Sequence, residues 1–398
     1  MKQQVLFVDD DPSILRAMQR VMRTLQDDLD MEFKASSKEA LQVMEHRRFN
    51  IVICDMRMPG MDGPDFLGEV KARFPEVVRI VLSGHSDDSM VFRALESTHQ
   101  YLAKPCSAET VKQTIHRACE MQALLTDENL KRVVTGVNRL PSLPKIYAQL
   151  VEELREDRCD LERVGEIIAQ DSALSIKILQ LVNSAFFGLS RPISNPAEAA
   201  NHLGLDTVKT LALVVEVFEA FSIDHVSTFS MDAYWKHCLR VGFLAGAIAK
   251  HEGGDLLLQD QSKMGGMLHD VGKLILASFV PEEYQRIQEV VMAESVPEWQ
   301  AEEQILGTTH ARICGYLLGT WGLPMGIVES VLYHHQLDQL SVETFSPPIA
   351  VHVANALTHE EDGVSPQDHK LDEETLGRMG LLMKLDDWRG LVQKPLTE

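Results

Sequence analysis

Near the amino terminus, Val5-Leu6-Phe7-Val8-Asp9-Asp10-Asp11 runs four apolar residues straight into three carboxylates. A short apolar run of this kind reads as a strand buried on both faces, as in a parallel sheet. Three further runs have the same character: Ile51–Cys54, Ile80–Leu82 and Tyr101–Ala103, with Glu32–Ala35 a weaker fifth. Between the first two, Ile14, Met18, Val21, Met22 and Leu25 recur at helical spacing. Strands alternating with helices predict a doubly wound α/β sheet. In such sheets ligands gather beyond the carboxyl ends of the strands. Asp9 and Asp10 lie there, with Asp55 after the second run, Ser83 after the third and Lys104 after the fourth.

Those residue types specify a chemistry. Carboxylates are hard oxygen ligands and suit Mg²⁺, which takes few protein carboxylates and keeps several waters. Asp55 precedes a glycine-rich loop, Met56 to Gly63, and is the candidate nucleophile for a phosphoryl group. The Ser83 hydroxyl can bond a phosphoryl oxygen, and Lys104 supplies a compensating cation.

Residues 1–122 therefore resemble a response-regulator receiver domain, a flavodoxin-like (βα)5 fold. The blocks VDDD, CDMRMPGMDG, VLSG and YLAKP carry the likeness. The resemblance implies that Asp55 is the phosphoacceptor. It makes Asp9, Asp10, Asp55 and the backbone carbonyl of Arg57 the Mg²⁺ ligands, and gives Ser83 and Lys104 contact with the phosphoryl group. Ser83 and the aromatic Tyr101 are then the switch. It also implies a sensor histidine kinase as phosphodonor and pairing of receivers as a homodimer.

Beyond Leu140-Pro-Ser-Leu-Pro144 strand signals nearly vanish, and helical patterns follow one another, among them 231–252, 261–276, 298–319, 324–337 and 346–358. The reading is a helical linker over 123–137, an all-α domain over 138–358 and a C-terminal helical extension over 359–398. His237, His269-Asp270, His310 and His334-His335 are spread along this region. Imidazoles and a carboxylate from separate helices can meet around a metal inside a bundle. Any one of these histidines alone is an ordinary core or surface residue; the ordered set points to a metal site.

The order resembles the HD superfamily of metal-dependent phosphohydrolases. More closely, residues 138–358 resemble an HDOD domain, through AQDSALSIKILQLVNSAFFG (169–188), ISNPAEAANHLGLDTVKTLAL (193–213), GGMLHDVGKLIL (265–276) and YHHQ (333–336). One departure bears on activity. Where an active site of this superfamily carries a late aspartate, IAVHVANALTHE places Asn355. The resemblance then implies a signalling output that engages other proteins. Two alternatives stay open: an HD-type (cyclic di)nucleotide phosphodiesterase, and a nucleotide-binding sensor. Whether this domain holds a metal is left open too.

Composition narrows the classes. At 398 residues the chain exceeds one ordinary core. Lys+Arg 38 against Asp+Glu 59 gives a net charge of −21, which repels nucleic-acid phosphates. The six cysteines form no CxxC pair, as expected of reduced thiols in the cytoplasm. No apolar run reaches the roughly 18 residues of a membrane span.

Overall fold

Parallel strands whose side chains alternate between two covered faces must be apolar at nearly every position. In this computed structural model Val5, Leu6, Phe7, Val8, Ile51, Val52, Ile53 and Cys54 are all at most 2% exposed. The structure describes residues 2–27, 29–83, 97–104, 107–124, 130, 149–150, 153, 161–169, 195–205, 208, 212, 230–340, 344–363 and 370–392. The chain divides into two units, Met1–Lys145 with Tyr316–Leu323, and Ile146–Gly315 with Pro324–Glu398.

The first unit is a five-stranded sheet of order β2-β1-β3-β4-β5, every neighbouring pair parallel. The strands are β1 (Gln3–Val8), β2 (Leu29–Lys34), β3 (Ile51–Asp55), β4 (Val78–Ser83) and β5 (Gln100–Ala103). Helices α1 (Pro12–Met22), α2 (Ser37–His46), α3 (Gly63–Arg73) and α4 (Ala108–Leu124) accompany it. Alternation sorts the core into two layers. Leu6, Val8, Val52 and Cys54 pack with Ala40, Met44, Phe66 and Leu67 of α2 and α3. Val5, Phe7, Ile51 and Ile53 pack with Met22, Val111, Ile115 and Ala118 of α1 and α4. The weak fifth strand of the sequence is real, at Leu29–Lys34.

The helical unit begins, among the described residues, with α5 (Leu161–Ala169) and α6 (Pro196–Leu203). They share a cluster in which Val164, Ile168, Ala199 and Ala200 are fully buried. Then follow α7 (Met231–His251), α8 (Leu256–Leu268), α9 (Val271–Phe279), α10 (Pro281–Glu294), α11 (Glu298–Leu306), α12 (His310–Thr320), α13 (Met325–Tyr333), α14 (Pro347–Glu361), α15 (Glu373–Arg378) and α16 (Leu385–Val392). No described helix is long and apolar enough to cross a membrane. The linker assigned to 123–137 lies outside the described residues except for 123–124 and 130. Most of the 169–188 block lies outside them too.

Three sequence boundaries need correction. The helix expected over 261–276 breaks between Leu268 and Val271, with Asp270 at φ −100° and ψ 1°. The helix expected over 298–319 breaks at Gly307, whose φ of 68° closes α11 in the left-handed conformation that glycine adopts readily. Apolar periodicity continues across both breaks, so spacing alone hid them. The boundary at 358/359 falls inside α14. The segment after it is part of the core: Leu376, Leu381, Leu385 and Trp388 are buried in one cluster with Val241, Ile248, Ile349 and Val353.

Trp388 is 0% exposed, and its indole N–H donates to Glu252 Oε1 at 3.0 Å. Emptying a site of that size costs about 3–5 kcal/mol. Trp388→Ala should therefore lower the stability of the helical unit by that order in a urea titration followed by circular dichroism. A loss below about 1 kcal/mol would show that the C-terminal helices are not part of its core.

Candidate functional site

In the first unit, the acidic residues meet where the strands end. Asp9 follows β1, Asp55 closes β3 and Lys104 follows β5. The Lys104 ammonium bonds Asp9 Oδ2 at 3.1 Å and also Asp55 Oδ1. The backbone N–H of Arg57 donates to Asp55 Oδ2 at 2.8 Å, which fixes that carboxylate from the other side. The loop after Asp55 stays tight because Gly63 packs directly on the Asp55 carbonyl; a β-carbon there would collide with it. Burial raises the Asp9 pKa, against the pull of its bonds to Asp11 and Lys104. Burial also opposes the charge on Lys104, but the two carboxylates beside it win and hold it protonated.

Asp10 is exposed at the same strand end. Asp11 has a different job: it caps α1, its side chain accepting from the Ser13 N–H at 2.7 Å. Ser83 ends β4 and Tyr101 lies in β5, but their side chains lie outside the described residues. The donors at this edge are carboxylate oxygens, which fit a hard divalent cation such as Mg²⁺.

In the helical unit, all six sequence-named residues come together around one carboxylate. Asp270, His310, His334 and His335 each offer a ligand atom, these atoms lying within 4.8 Å of one another. His237, His269 and Asp270 form a second such group, so Asp270 belongs to both. His310 Nε2 lies 3.3 Å from Asp270 Oδ1, and His334 Nε2 lies 3.6 Å from the same atom. His269 Nε2 lies 3.5 Å from Asp270 Oδ2. The α8–α9 break produces this convergence, because it turns His269 and Asp270 inward together. Gly272 then lets α9 touch the backbone of His310, where any β-carbon would clash with the carbonyl.

The electrostatics are those of a buried anion surrounded. Burial works against the Asp270 charge, yet His269 and Lys273 hold its pKa well below the ordinary carboxylate value. Lys273 Nζ bonds Asp270 Oδ2 at 2.8 Å and pairs with Glu298 at 3.1 Å. Burial drives His269 and His335 well below the ordinary histidine value and His334 down to about 4. His310 goes the other way: burial opposes its charge, but Glu302 beside it raises the pKa to about 9.

Three observations fit a metal. The donors are imidazole nitrogens plus one carboxylate, the mix that suits Zn²⁺, Fe²⁺ or Mn²⁺ more than Mg²⁺. The Nε2 atoms of His237 and His269 are buried with no hydrogen bond of ordinary geometry. Several neutral imidazoles aim one nitrogen at a common point. A cleft of about 720 Å³ opens beside the cluster, bordered by Trp299, Gln300, His335, Asn355 and Asp372.

Asn355 is buried on α14 beside His237, and its Oδ1 lacks a well-formed hydrogen bond. Sequence reasoning missed four neighbours. Glu302 is fully buried against His310. Glu298 pairs with Lys273. His359 packs against His237, the rings tilted by 36° with centroids 4.3 Å apart. His352 ties the His334 carbonyl to the Asp372 N–H. The available signal for Glu302 was its place between Glu298 and Leu306 on one helical face, a charge where an apolar residue is expected.

Comparison with known proteins agrees with both halves. The profile of the response regulator receiver domain matches residues 5–116, and that of the HDOD domain matches residues 140–337. The chain joins a receiver domain to an HDOD domain. An HDOD domain protein from Geobacter sulfurreducens superposes with a TM-score of 0.54 at 22% identity, over 67% of this chain and 97% of that one. That likeness bears on the fold. An uncharacterized protein of Treponema pallidum is 26% identical over 258 residues, 65% of this chain and 49% of its own length. The hydrogenase transcriptional regulatory protein HoxA of Cupriavidus necator is 34% identical over 125 residues, 31% of this chain and 25% of its own. The chain thus spans about half or less of the length of these curated relatives.

The HDOD histidines give a pH signature for metal-free protein. His334 folds with a pKa of about 4 against the ordinary 6.5. The unfolded chain therefore binds the extra proton first as pH falls, and stability drops between about 6.5 and 4. The full effect of this one group is roughly 3 kcal/mol. His310, raised to about 9, contributes stability that is complete below about 6.5 and is lost as pH rises toward 9. Melting of the helical signal in the presence of chelator should therefore peak near neutral pH. An equal midpoint at pH 5 and pH 7 would contradict the buried, neutral state of the cluster.

Proposed function

We propose that this protein is a two-component response regulator whose Asp55 accepts a phosphoryl group from a sensor histidine kinase, and whose HDOD domain relays the change to protein partners. The observation that carries the reading is Lys104 bonded to both Asp9 and Asp55 at the strand ends. Lys104 holds the two carboxylates beside one another despite their repulsion. Arg57 N–H holds Asp55 Oδ2 while Lys104 holds Oδ1, so the carboxylate is fixed from both sides at the strand end. Attack on a phosphohistidine forms the Asp55 acyl phosphate and breaks the phosphorus–nitrogen bond, the imidazole leaving with a proton. Mg²⁺, held by Asp9, Asp10, Asp55 and the Arg57 carbonyl, would offset charge on the transferring group.

The test is labelling of the full chain by a small phosphodonor with Mg²⁺. Asp55→Asn should abolish the label, and Asp10→Asn should weaken Mg²⁺ dependence through loss of a charged ligand. A label that persists in Asp55→Asn would refute the assignment.

For the HDOD domain, the charge balance supports a binding or relaying role with no more than one metal. Asp270 is the only carboxylate in either donor group. Two dications about 4 Å apart repel by roughly 17 kcal/mol at an effective dielectric of about 20. One carboxylate and neutral imidazoles offset little of that, and Asn355 adds no charge. The better-furnished group is Asp270, His310, His334 and His335, a four-donor set of the kind zinc takes.

A second reading, an HD-type phosphodiesterase, is favoured by the sharing of Asp270 between two donor groups. Metal analysis and a cyclic di-GMP hydrolysis assay with Mn²⁺ or Fe²⁺ separate the two. The expected result is at most one metal per chain and no enzyme-like turnover. Turnover that the metal supports and His269→Ala abolishes would establish the hydrolase instead.

A further inference from the structure

Glu302 is a charged residue at 0% exposure, deep beside the histidine cluster. An isolated carboxylate in such a place costs several kcal/mol and persists only when paired and hydrogen-bonded. Its hydrogen bonds go to one residue, His310. The His310 backbone N–H donates to Oε2 at 2.8 Å. The His310 ring places Nδ1 2.8 Å from Oε1 and 2.7 Å from Oε2. Gripping one residue by its backbone and its ring fixes the ring's direction as well as its position.

The neighbouring histidines show why His310 needs this. His269 Nδ1 meets the carbonyl of Gly266 at 2.6 Å, and His334 Nδ1 meets the carbonyl of Val331 at 2.7 Å. Each takes the carbonyl three residues back in its own helix. That acceptor comes free at the C-terminal end of a helix. His310 is the first residue of α12, and three residues back is Gly307, where α11 has ended. No helical turn precedes it. Glu302, two turns upstream on α11, supplies the acceptor that the break removed. With Nδ1 engaged, Nε2 is the nitrogen left for the centre, and it points at Asp270 Oδ1 (3.3 Å), His334 Nε2 (3.4 Å) and His335 Nε2 (3.3 Å).

We propose that Glu302 is the positioning residue of this centre: it anchors the Nδ1–H of His310, so that Nε2 faces the centre and, once its own proton is displaced, is offered to a divalent metal. The inference rests on the metal-binding reading above. A carboxylate is a stronger acceptor than the carbonyls serving His269 and His334, so it makes His310 the most strongly donating imidazole of the group. The role of Glu302 is distinct from that of Lys273, which contacts the Asp270 carboxylate directly.

The experiment compares the full chain with Glu302→Gln and Glu302→Ala. Zn²⁺ affinity is read by competition with a chromophoric chelator. The imidazole N–H of His310 is read by nitrogen-resolved NMR, with and without Zn²⁺. Loss of an outer-shell carboxylate typically weakens binding about 10–100-fold. Glu302→Ala should show that loss together with disappearance of the exchange-protected Nδ1–H. Glu302→Gln should keep the Nδ1–H, because an amide oxygen still accepts it, and should bind Zn²⁺ between the other two. Thermal melting separates a general loss of fold from this pattern; if the alanine variant fails to fold, the glutamine variant decides. Unchanged affinity and an unchanged Nδ1–H in Glu302→Ala overturn the proposal. So does a Glu302→Gln variant that loses affinity and melting temperature as fully as alanine does. If the wild-type chain binds no Zn²⁺, the metal reading fails on its own. The Nδ1–H of the metal-free protein then still decides Glu302: persistence in Glu302→Ala overturns its positioning role, and loss upholds it.

Discussion

A carboxylate withdrawn from water must be answered by positive charge or hydrogen-bond donors close by. Asp270 imposes that requirement on much of the helical unit. It is 3% exposed, and Lys273, His269, His310 and His334 surround it. Those residues come from α8's end, α9, α12 and the end of α13, so satisfying one anion fixes where four elements meet. The helix breaks at 268–271 and 306–310 belong to the same constraint. A continuous helix would point His269 and Asp270, or Glu302 and His310, along directions that a straight rod allows. The breaks let adjacent residues face one centre, at the cost of two helix ends that need other partners. Glu302 supplies one of them.

The receiver site solves the same problem with different material. Its two contacting carboxylates, Asp9 and Asp55, share one lysine, and they sit at a sheet edge that water and a cation can reach. That openness is what the proposed phosphoryl transfer would require. The HDOD cluster is instead closed over by its own helices, with His269, His310 and His334 at most 1% exposed. Its approach is the cleft beside His335, where the Trp299 indole lies roughly parallel to the imidazole at 6.2 Å. Burial keeps most of these imidazoles neutral. They are therefore lone-pair donors rather than cations, and the local negative charge is left to Asp270, Glu298 and Glu302.

The two halves differed in how far sequence could carry them. In the receiver, period-two burial on both faces leaves an unmistakable apolar run, and the functional residues sit immediately after those runs. Val5–Val8 leads to Asp9, and Ile51–Cys54 leads to Asp55. The strands and the carboxylates that follow them were thus legible together. In the helical unit the clustered histidines were legible as residue types in order, but their geometry was not. Apolar spacing passes smoothly through Leu268–Val271 and Leu306–His310, since both sides of each break face the core. The C-terminal helices were set apart because a polar stretch precedes them, while Trp388 and Leu385 bury themselves against α7 and α14. Glu302 was missed for a related reason: its signal was weak, because a glutamate in a helix reads as solvated until something shows that its helix face is inside.

Asn355 shows why a single substitution does not settle what such a site does. Its amide brings no charge to the group made by His237, His269 and Asp270, where an aspartate would have brought one. It leaves the other group untouched, since His310, His334, His335 and Asp270 lie on different elements. The second group also keeps its supporting bonds, Glu302 to His310 and the Val331 carbonyl to His334. The His237 side, with Asn355 and His359 beside it, is furnished mainly by neutral groups. The asymmetry is physical: one half has an anion, three converging nitrogens and an orienting carboxylate, and the other shares that anion without an equivalent support. That asymmetry is the ground for proposing one cation here rather than two. One cation can brace α9, α12 and α13 together, whereas phosphodiester cleavage across two metals needs both halves filled.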